Sequence, residues 1–584
     1  MATTFAEIIQ SETITLKKKQ PSYNKLNALK YFVYLLFATF IFTASCKNSV
    51  KQESNTSKNI ITDDEHAKHD TASIYLDSLQ ITKYLQQNSL NESYRENLES
   101  FYKKRNEEFA WINNAGINEY ARNFINLLNQ EENKAKNDSL FYHDKLHSLY
   151  NLISQDDYKF NSKDTLVTQL ELLLTENFFA YAEGKWGGIS NEESKKVSWF
   201  IERKKLNYKN LLDTLLKNNA NSISSFEPVY HQYGLLKIYL QKYRDIEKKG
   251  GWIAWNDGFN KFKKGDTSSV ITSIREQLYM LEDLSVNDST NIFEDKLEEA
   301  VKKFQKRNGL KEDGIISGKT LLAMSIPIHE LIQQLLINME RCKWVPVEQK
   351  GDYLAVNIPA FKLLVYHNDT LQWSCNAIVG KSRVANNTVI FNDNLEYIVF
   401  SPFWNIPREI IFKETLPEMK RNSNYLANHN MEVVNTEGQP VAASSIEWNK
   451  YSNNFPYIIR QKPGKNNTLG LVKFLFPNSY DIYMHDTPEK YLFAESTRMF
   501  SHGCIRLQEP FKLAKFLLRE DSSFTDEKII TLMNGGKQTF VKLKNKVPVF
   551  IAYFTAWVDR DGKLNFRDDV YHHDEKMKHL LFKD

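Results

Sequence analysis

The segment IYMHDTPEKYLFAESTRMFSHGCIRLQEP, Ile482–Pro510, places a histidine at the end of a strand-like run and a cysteine in a glycine turn. Asp481–Met484 reads as a strand that His485 ends, and Pro510–Arg519 reads as a helix with proline in its first turn. A cysteine attacks only as its thiolate, and it needs a base or a field to form one. His485 lies 19 residues before Cys504, and a strand, a loop and a turn can bring the two together. Gly503 lets the backbone approach another molecule closely. The consecutive N–H groups at Gly503-Cys504 suit an oxyanion hole. Arg506 adds a cation able to hold a carboxylate or brace the loop. Tyr483 shares the strand face of His485 and either lines a pocket or packs in the core. From these residues alone, Cys504 is also readable as a buried structural thiol.

Outward from this segment the periodicity is that of strands. Tyr353–Ile358, Phe361–Tyr366 and Leu371–Val379 alternate or run apolar, and Asn368-Asp369 marks a hairpin turn. Val472–Phe476 continues the pattern. Residues 408–470 are polar and irregular and read as an insertion with some helix near Lys413–Lys420. Residues 546–584 read as a strand and an aromatic-rich tail.

Residues 75–288 are helical in pattern, with Tyr75, Leu76 and Leu79 recurring at near-helical spacing, as do Ile81, Tyr84 and Leu85. In KLEEAVKKFQKRNGLKEDGIISGKTLLAMSIP, Lys296–Pro327, a helix carries Leu297, Ala300, Val301 and Phe304 on one face. Gly309 can close that helix and Thr320 can cap the next. At the N-terminus, Tyr31–Ala44 is an apolar run of 14, short for a membrane span but right for a signal core. Basic residues precede it, and Thr43-Ala44-Ser45-Cys46 follows. The arrangement resembles a bacterial lipoprotein signal, cleaved before Cys46 with lipidation of its sulfur; an uncleaved anchor is the alternative. Residues 46–74 read as a polar tether.

Composition bounds the rest. A chain of 584 residues with 42% apolar and 25% charged residues is a multidomain folded protein, neither disordered nor polytopic. Lys+Arg 76 against Asp+Glu 72 leaves +4, which argues against a dedicated nucleic-acid binder. Four cysteines with no CxxC pair exclude a disulfide framework and a zinc-thiolate site. Cys342 and Cys375 are either a pair or two buried thiols. His572-His573-Asp574 is adjacent and terminal and lacks the partners of a metal set.

HDTP…SHGCIR, residues 485–488 and 501–506, resembles the active-site signature of YkuD-type L,D-transpeptidases. SPFWNIPREI (401–410), YIIRQKPGKNNTLGLVKFLFPN (457–478), FTAWVDRDGKLNFRDDVYHHD (554–574) and FYKKRNEEFAW (101–111) resemble its larger YcbB-like subgroup. The AVxxFQxxxGLxxDGxxxGxT pattern resembles a peptidoglycan-binding-like domain, active in binding or kept as a spacer. The resemblance implies a multidomain α+β chain. It has a helical N-terminal scaffold (75–288), a small three-helix peptidoglycan-binding-like domain (289–327) and a mostly-β YkuD catalytic domain (350–545) with an inserted capping subdomain. It implies Cys504 as nucleophile, His485 as proton donor and acceptor, and Ser501, His502 and Gly503 as loop or oxyanion residues. Arg506 and Tyr483 would meet substrate. The implied reaction is a 3–3 crosslink between peptidoglycan stem peptides through a cysteine acyl-enzyme, without metal or organic cofactor. Carbapenems would acylate the same sulfur. The protein would be a monomer on the periplasmic face of the envelope, membrane-attached through its N-terminus. The same site could serve an L,D-carboxypeptidase or an enzyme linking proteins to the wall. A non-catalytic wall-binding protein is the remaining alternative.

Overall fold

The computed structural model describes residues 73–582 apart from short segments, the longest at 133–142, 218–227 and 253–260. The leader, Cys46 and the tether lie outside the described residues. The architecture is multidomain α+β.

The helical region is built around α2 (Thr165–Ala182), which is buried nearly all round and packs with α1 (Glu92–Lys104) and α3 (Gln232–Lys248) in one core. FYKKRNEEFAW attaches to it by the Phe101–Phe179 ring contact, by bonds from Tyr102 and Trp111 to Thr175, and by one carboxylate. Glu171 accepts from the Tyr102 hydroxyl at 2.8 Å and from the Ala110 and Trp111 N–H groups at 2.5 and 3.0 Å. Burial pushes that carboxyl up to about 7 against these donors. Leu76, Ile81, Tyr84 and Leu85 are buried as expected, but Tyr75, which precedes the helix that begins at Ser78, and Leu79, on the helix face away from Ile81, Tyr84 and Leu85, are exposed.

The small unit has three helices: α4 (Ser269–Met280), α5 (Asp295–Arg307) and α6 (Lys319–Met324). Their shared core includes Ile271, Ile274 and Leu278, so the boundary expected at 289 falls inside it. Gly309 closes α5 at φ 67. Thr320 is not the cap; Gly318 occupies that position, and Thr320 is buried. The polar residues of the motif serve the unit itself. Gln305 Nε2 points at Asp313 Oδ1, the Ile315 carbonyl and Thr320 Oγ1, and its Oε1 accepts from the Gly314 N–H.

After α7 (Ile328–Cys342) come nine strands: β1 (Asp352–Asn357), β2 (Lys362–His367), β3 (Thr370–Gly380), β4 (Phe391–Phe400), β5 (Val472–Leu475), β6 (Met484–His485), β7 (Met499–Ser501), β8 (Ile505–Leu507) and β9 (Thr539–Ala552). They form one sheet in the order β7-β3-β8-β6-β5-β4-β9-β1-β2, and a further β2–β3 pairing closes it into a ring. Asn368 and Asp369 both have positive φ, as a tight β2–β3 hairpin turn requires. The strand expected at Asp481–Met484 is shorter. Asp481 has φ 55, and Asn478 accepts from the Tyr480 and Ile482 N–H groups, so the chain turns until Met484. The helix α8 (Pro510–Leu518) follows as read.

The insertion is more ordered than its composition suggests. Trp404–Asn405, Met431–Val434, Pro440–Val441 and Ile458–Gln461 form a four-stranded sheet with its own core around Ile406, Leu416, Val433 and Ile459. Its outer partners are helical turns from Arg408 to Asn428, and polar loops hid the short strands.

The boundary expected at 545/546 cuts β9, which lies between β4 and β1 in the sheet. The tail then leaves the sheet and packs on the helical core through Ala556, Val558, Leu564 and Phe566. Asp574 pairs with Arg341 of α7 at 2.5 Å and accepts from Thr555 Oγ1 at 2.5 Å. Asn338 of α7 bonds both the Thr555 hydroxyl and its N–H. Cys342 and Cys375 are free, buried thiols in different cores.

Candidate active site

Register brings the site together. β6 runs antiparallel to β5, with His485 opposite Lys473, and parallel to β8, with His485 opposite Arg506 and Met484 opposite Ile505. Met484, Ile505 and Phe474 are fully buried in the core of the sheet. Alternation therefore puts Tyr483, His485, Cys504, Arg506 and Lys473 on the opposite face.

The half-buried Cys504 thiol donates to the Asp481 carbonyl, 3.6 Å away. Tyr483 meets the sulfur with both its hydroxyl and its N–H. Burial pushes the thiol up to about 11, with the Asp481 charge in the same direction; the Tyr483 donors and the Lys473 cation oppose it. The Tyr483 hydroxyl is held well above its ordinary value by burial and by Cys504, so it stays a donor.

His485 is buried, and its Nδ1 sits 2.5 Å from the Asp486 carbonyl. A carbonyl only accepts, so Nδ1 carries the proton and Nε2 keeps its lone pair. This backbone carbonyl orients the imidazole, and no residue type in the sequence marks it. Burial, the Arg506 guanidinium and Lys473 hold the imidazole down to about 3. No hydrogen bond joins Cys504 to His485 in this resting arrangement. The thiol proton points at the Asp481 carbonyl, so a transfer to Nε2 would first require the Cys504 side chain to turn.

The loop is braced from several sides. The Ser501 hydroxyl donates to the Cys504 carbonyl at 2.5 Å and accepts the Gly503 N–H at 3.1 Å. That bond consumes one of the two N–H groups expected in an oxyanion hole; the Cys504 N–H has no acceptor among the described residues. Gly503 has φ 120, a conformation glycine favours, and its carbonyl accepts from Thr388 Oγ1 at 2.7 Å. His502 is half-exposed, with Nε2 3.9 Å from Glu414 of the insertion. The inserted subdomain therefore touches the cysteine loop. Arg506 is engaged by Glu489.

The aspartate after the histidine has a clear task. Asp486 Oδ2 accepts from the Leu471 N–H at 2.9 Å, and Oδ1 pairs with Lys490 at 2.6 Å. Gly470, at φ 62, passes so close that a Cβ would stand 2.4 Å from the carboxylate. Gly470→Ala is expected to cost roughly 2–5 kcal/mol, from left-handed strain plus overpacking. A thermal unfolding midpoint unchanged from wild type would refute this.

Lys473 escaped the sequence reading. In VKFLF it alternates with core residues and looks like an ordinary solvent-facing lysine; only its pairing with His485 reveals its place.

Residues 351–549 match the family described as the L,D-transpeptidase catalytic domain, YkuD. Residues 96–240 match a scaffold domain, and 267–324 match a "Putative peptidoglycan binding domain". A Haemophilus influenzae protein named "Putative L,D-transpeptidase" is 34% identical over 259 residues, covering 44% of this chain and 52% of that relative. The match thus spans about half of that relative's length. Solved L,D-transpeptidase structures from Xylanimonas cellulosilytica and Stackebrandtia nassauensis are each 12% identical. The first covers 51% of this chain and 100% of its own with a TM-score of 0.17; the second covers 50% and 94% with 0.20. The cysteine loop and all but the last residues of β9 lie inside the span that matches the L,D-transpeptidase catalytic domain family, and a span that matches a peptidoglycan-binding domain precedes it.

Proposed function

We propose that the protein is a cysteine-dependent L,D-transpeptidase that crosslinks peptidoglycan stem peptides at the cell envelope. The observation that carries this reading is the common sheet face of Cys504, Tyr483 and His485 within the catalytic domain. In the first half-reaction the Cys504 proton passes to His485 Nε2 as the sulfur attacks the carbonyl of the third stem residue. The Cys504 N–H faces the developing oxyanion. The C–N bond to the terminal D-alanine breaks, and the leaving amine takes the proton from His485. A thioester remains. In the second half-reaction the side-chain amine of another stem attacks it, His485 accepts the amine proton, and the thiol is restored as the 3–3 crosslink forms. His502 and the 404–461 subdomain border the cleft and restrict water, which would otherwise hydrolyse the thioester.

The same reading places the folded body outside the inner membrane as a monomer, tethered through lipidated Cys46 or an uncleaved anchor. Among the described residues no helix is long and apolar enough to cross a membrane.

The test is intact mass after incubation with a carbapenem. One adduct is expected on wild type and none on Cys504→Ala; a well-folded wild type without an adduct would overturn the assignment. With donor tetrapeptide and acceptor stem, 3–3 dimers are expected, whereas tripeptide alone would mark a carboxypeptidase.

A further inference from the structure

Among the described residues, one cation in the cleft has no counter-charge. Lys473 sits half-buried on β5, opposite His485 and on the same face as Cys504. Its ammonium lies 5.8 Å from the centre of the Tyr483 ring, and that same Tyr483 touches the sulfur. Neighbouring cations are already committed: Arg506 to Glu489, Lys490 to Asp486, and Arg460 and Lys462 to Glu432. Lys473 has no carboxylate and no hydrogen-bond acceptor among the described residues. The Asp481 charge acts on the thiol but not on Lys473.

An uncompensated ammonium in partial burial is unfavourable, and here burial pulls it down to about 8. The resting thiol, held near 11, does not supply the missing anion at neutral pH. A ligand can. Consecutive residues are 3.8 Å apart, so a chain-terminal carboxylate lies one residue beyond the carbonyl that the sulfur attacks. A longer peptide has a neutral amide there.

We propose that Lys473 is a substrate-binding residue that receives the free carboxylate of the single residue leaving the donor, and so selects donors with one residue beyond the scissile bond. This rests on the transpeptidase reading for the identity of the donor, but the anion seat itself does not. Arg506, the cation that the sequence pointed to, is occupied by Glu489 and braces the loop instead.

Two measurements on the full chain test it. The first compares alkylation of Cys504 by iodoacetate and by iodoacetamide in wild type and in Lys473→Met. A cation that merely tunes the thiol changes both rates alike, whereas a carboxylate seat changes their ratio. The iodoacetate-to-iodoacetamide ratio is expected to fall about tenfold in Lys473→Met. Lys473→Gln gives the same readout should the methionine variant fold poorly. An unchanged ratio in a folded variant overturns the proposal.

The second compares a donor tetrapeptide with its C-terminal amide. Amidation is expected to lower kcat/KM roughly 30-fold in wild type and less than about threefold in Lys473→Met. A penalty that persists in the variant overturns the assignment to the donor carboxylate. If the alkylation ratio responds while wild type turns over neither peptide, the anion seat stands and the transpeptidase reading falls.

Discussion

Alkylation of Cys504 by iodoacetamide in the ligand-free protein is expected to rise about tenfold per pH unit from pH 7 to pH 10, close to a thousandfold in all. The sign follows from the thiol. Burial holds it up to about 11, so only a minute thiolate fraction exists at pH 7, and each unit upward multiplies that fraction. The imidazole gives the complementary expectation. With His485 down at about 3, chiefly through burial, its free-base form is fully present between pH 5 and 7. Carbapenem acylation should then show no loss of rate centred near pH 6.5, the ordinary histidine value. An alkylation profile that levels off below pH 8 would mean a resting thiolate–imidazolium pair, and a mechanism that starts from the neutral pair would be wrong. The neutral pair also gives a reason for the Tyr483 donors. They favour the sulfur's negative charge only as it develops, when the proton is already on its way to Nε2.

Asp574→Ala is expected to destabilise the protein by about 3–5 kcal/mol at pH 7, the range for removing one partner of a buried ion pair. Arg341 is 1% exposed, and its guanidinium would stay inside without the carboxylate that now faces it. Its Nε already lacks a hydrogen-bond partner among the described residues, so the group has little with which to compensate. The Thr555 hydroxyl would lose its acceptor at the same time. Replacing both members, as in Arg341→Met with Asp574→Leu, should recover most of the loss. Denaturant unfolding of the three variants decides it; a single-variant loss under about 1 kcal/mol would show that water reaches the pair. This carboxylate and its histidine neighbours sat together in the sequence, but Asp574 is spoken for by Arg341 and Thr555.

The cysteine loop, the histidine and the long strands were legible because each left a local mark: Gly503 beside Cys504, alternation in β1–β3, proline at the start of α8. What escaped is what only register or distant packing decides. Lys473 is chemically silent until β5 is placed beside β6. The insertion hid four short strands in polar sequence. Gly503 was read as an oxyanion donor, yet Ser501, two residues away, takes its N–H. The domain boundary at 545 failed because a 14-residue strand in mid-sheet, Thr539–Ala552, contains the polar stretch KLKNK, whose charges look like a linker. In the small unit, Gln305, Asp313, Gly314 and Thr320 form a recognisable motif because they hold one another.

The position of β9 sets an order of events. It pairs along β4 on one side and β1 on the other, yet both partners are synthesised well over a hundred residues earlier. Until residue 552 is available, β1 and β4 cannot be bridged and the ring stays open on the side opposite β8, the strand that follows the cysteine. A nascent chain that ends before residue 552 therefore holds Cys504 in a sheet that is not yet closed. The last strand made is thus the one that seals the sheet, while the pairing of β6 with β8 that sets His485 beside the cysteine loop needs no later residue.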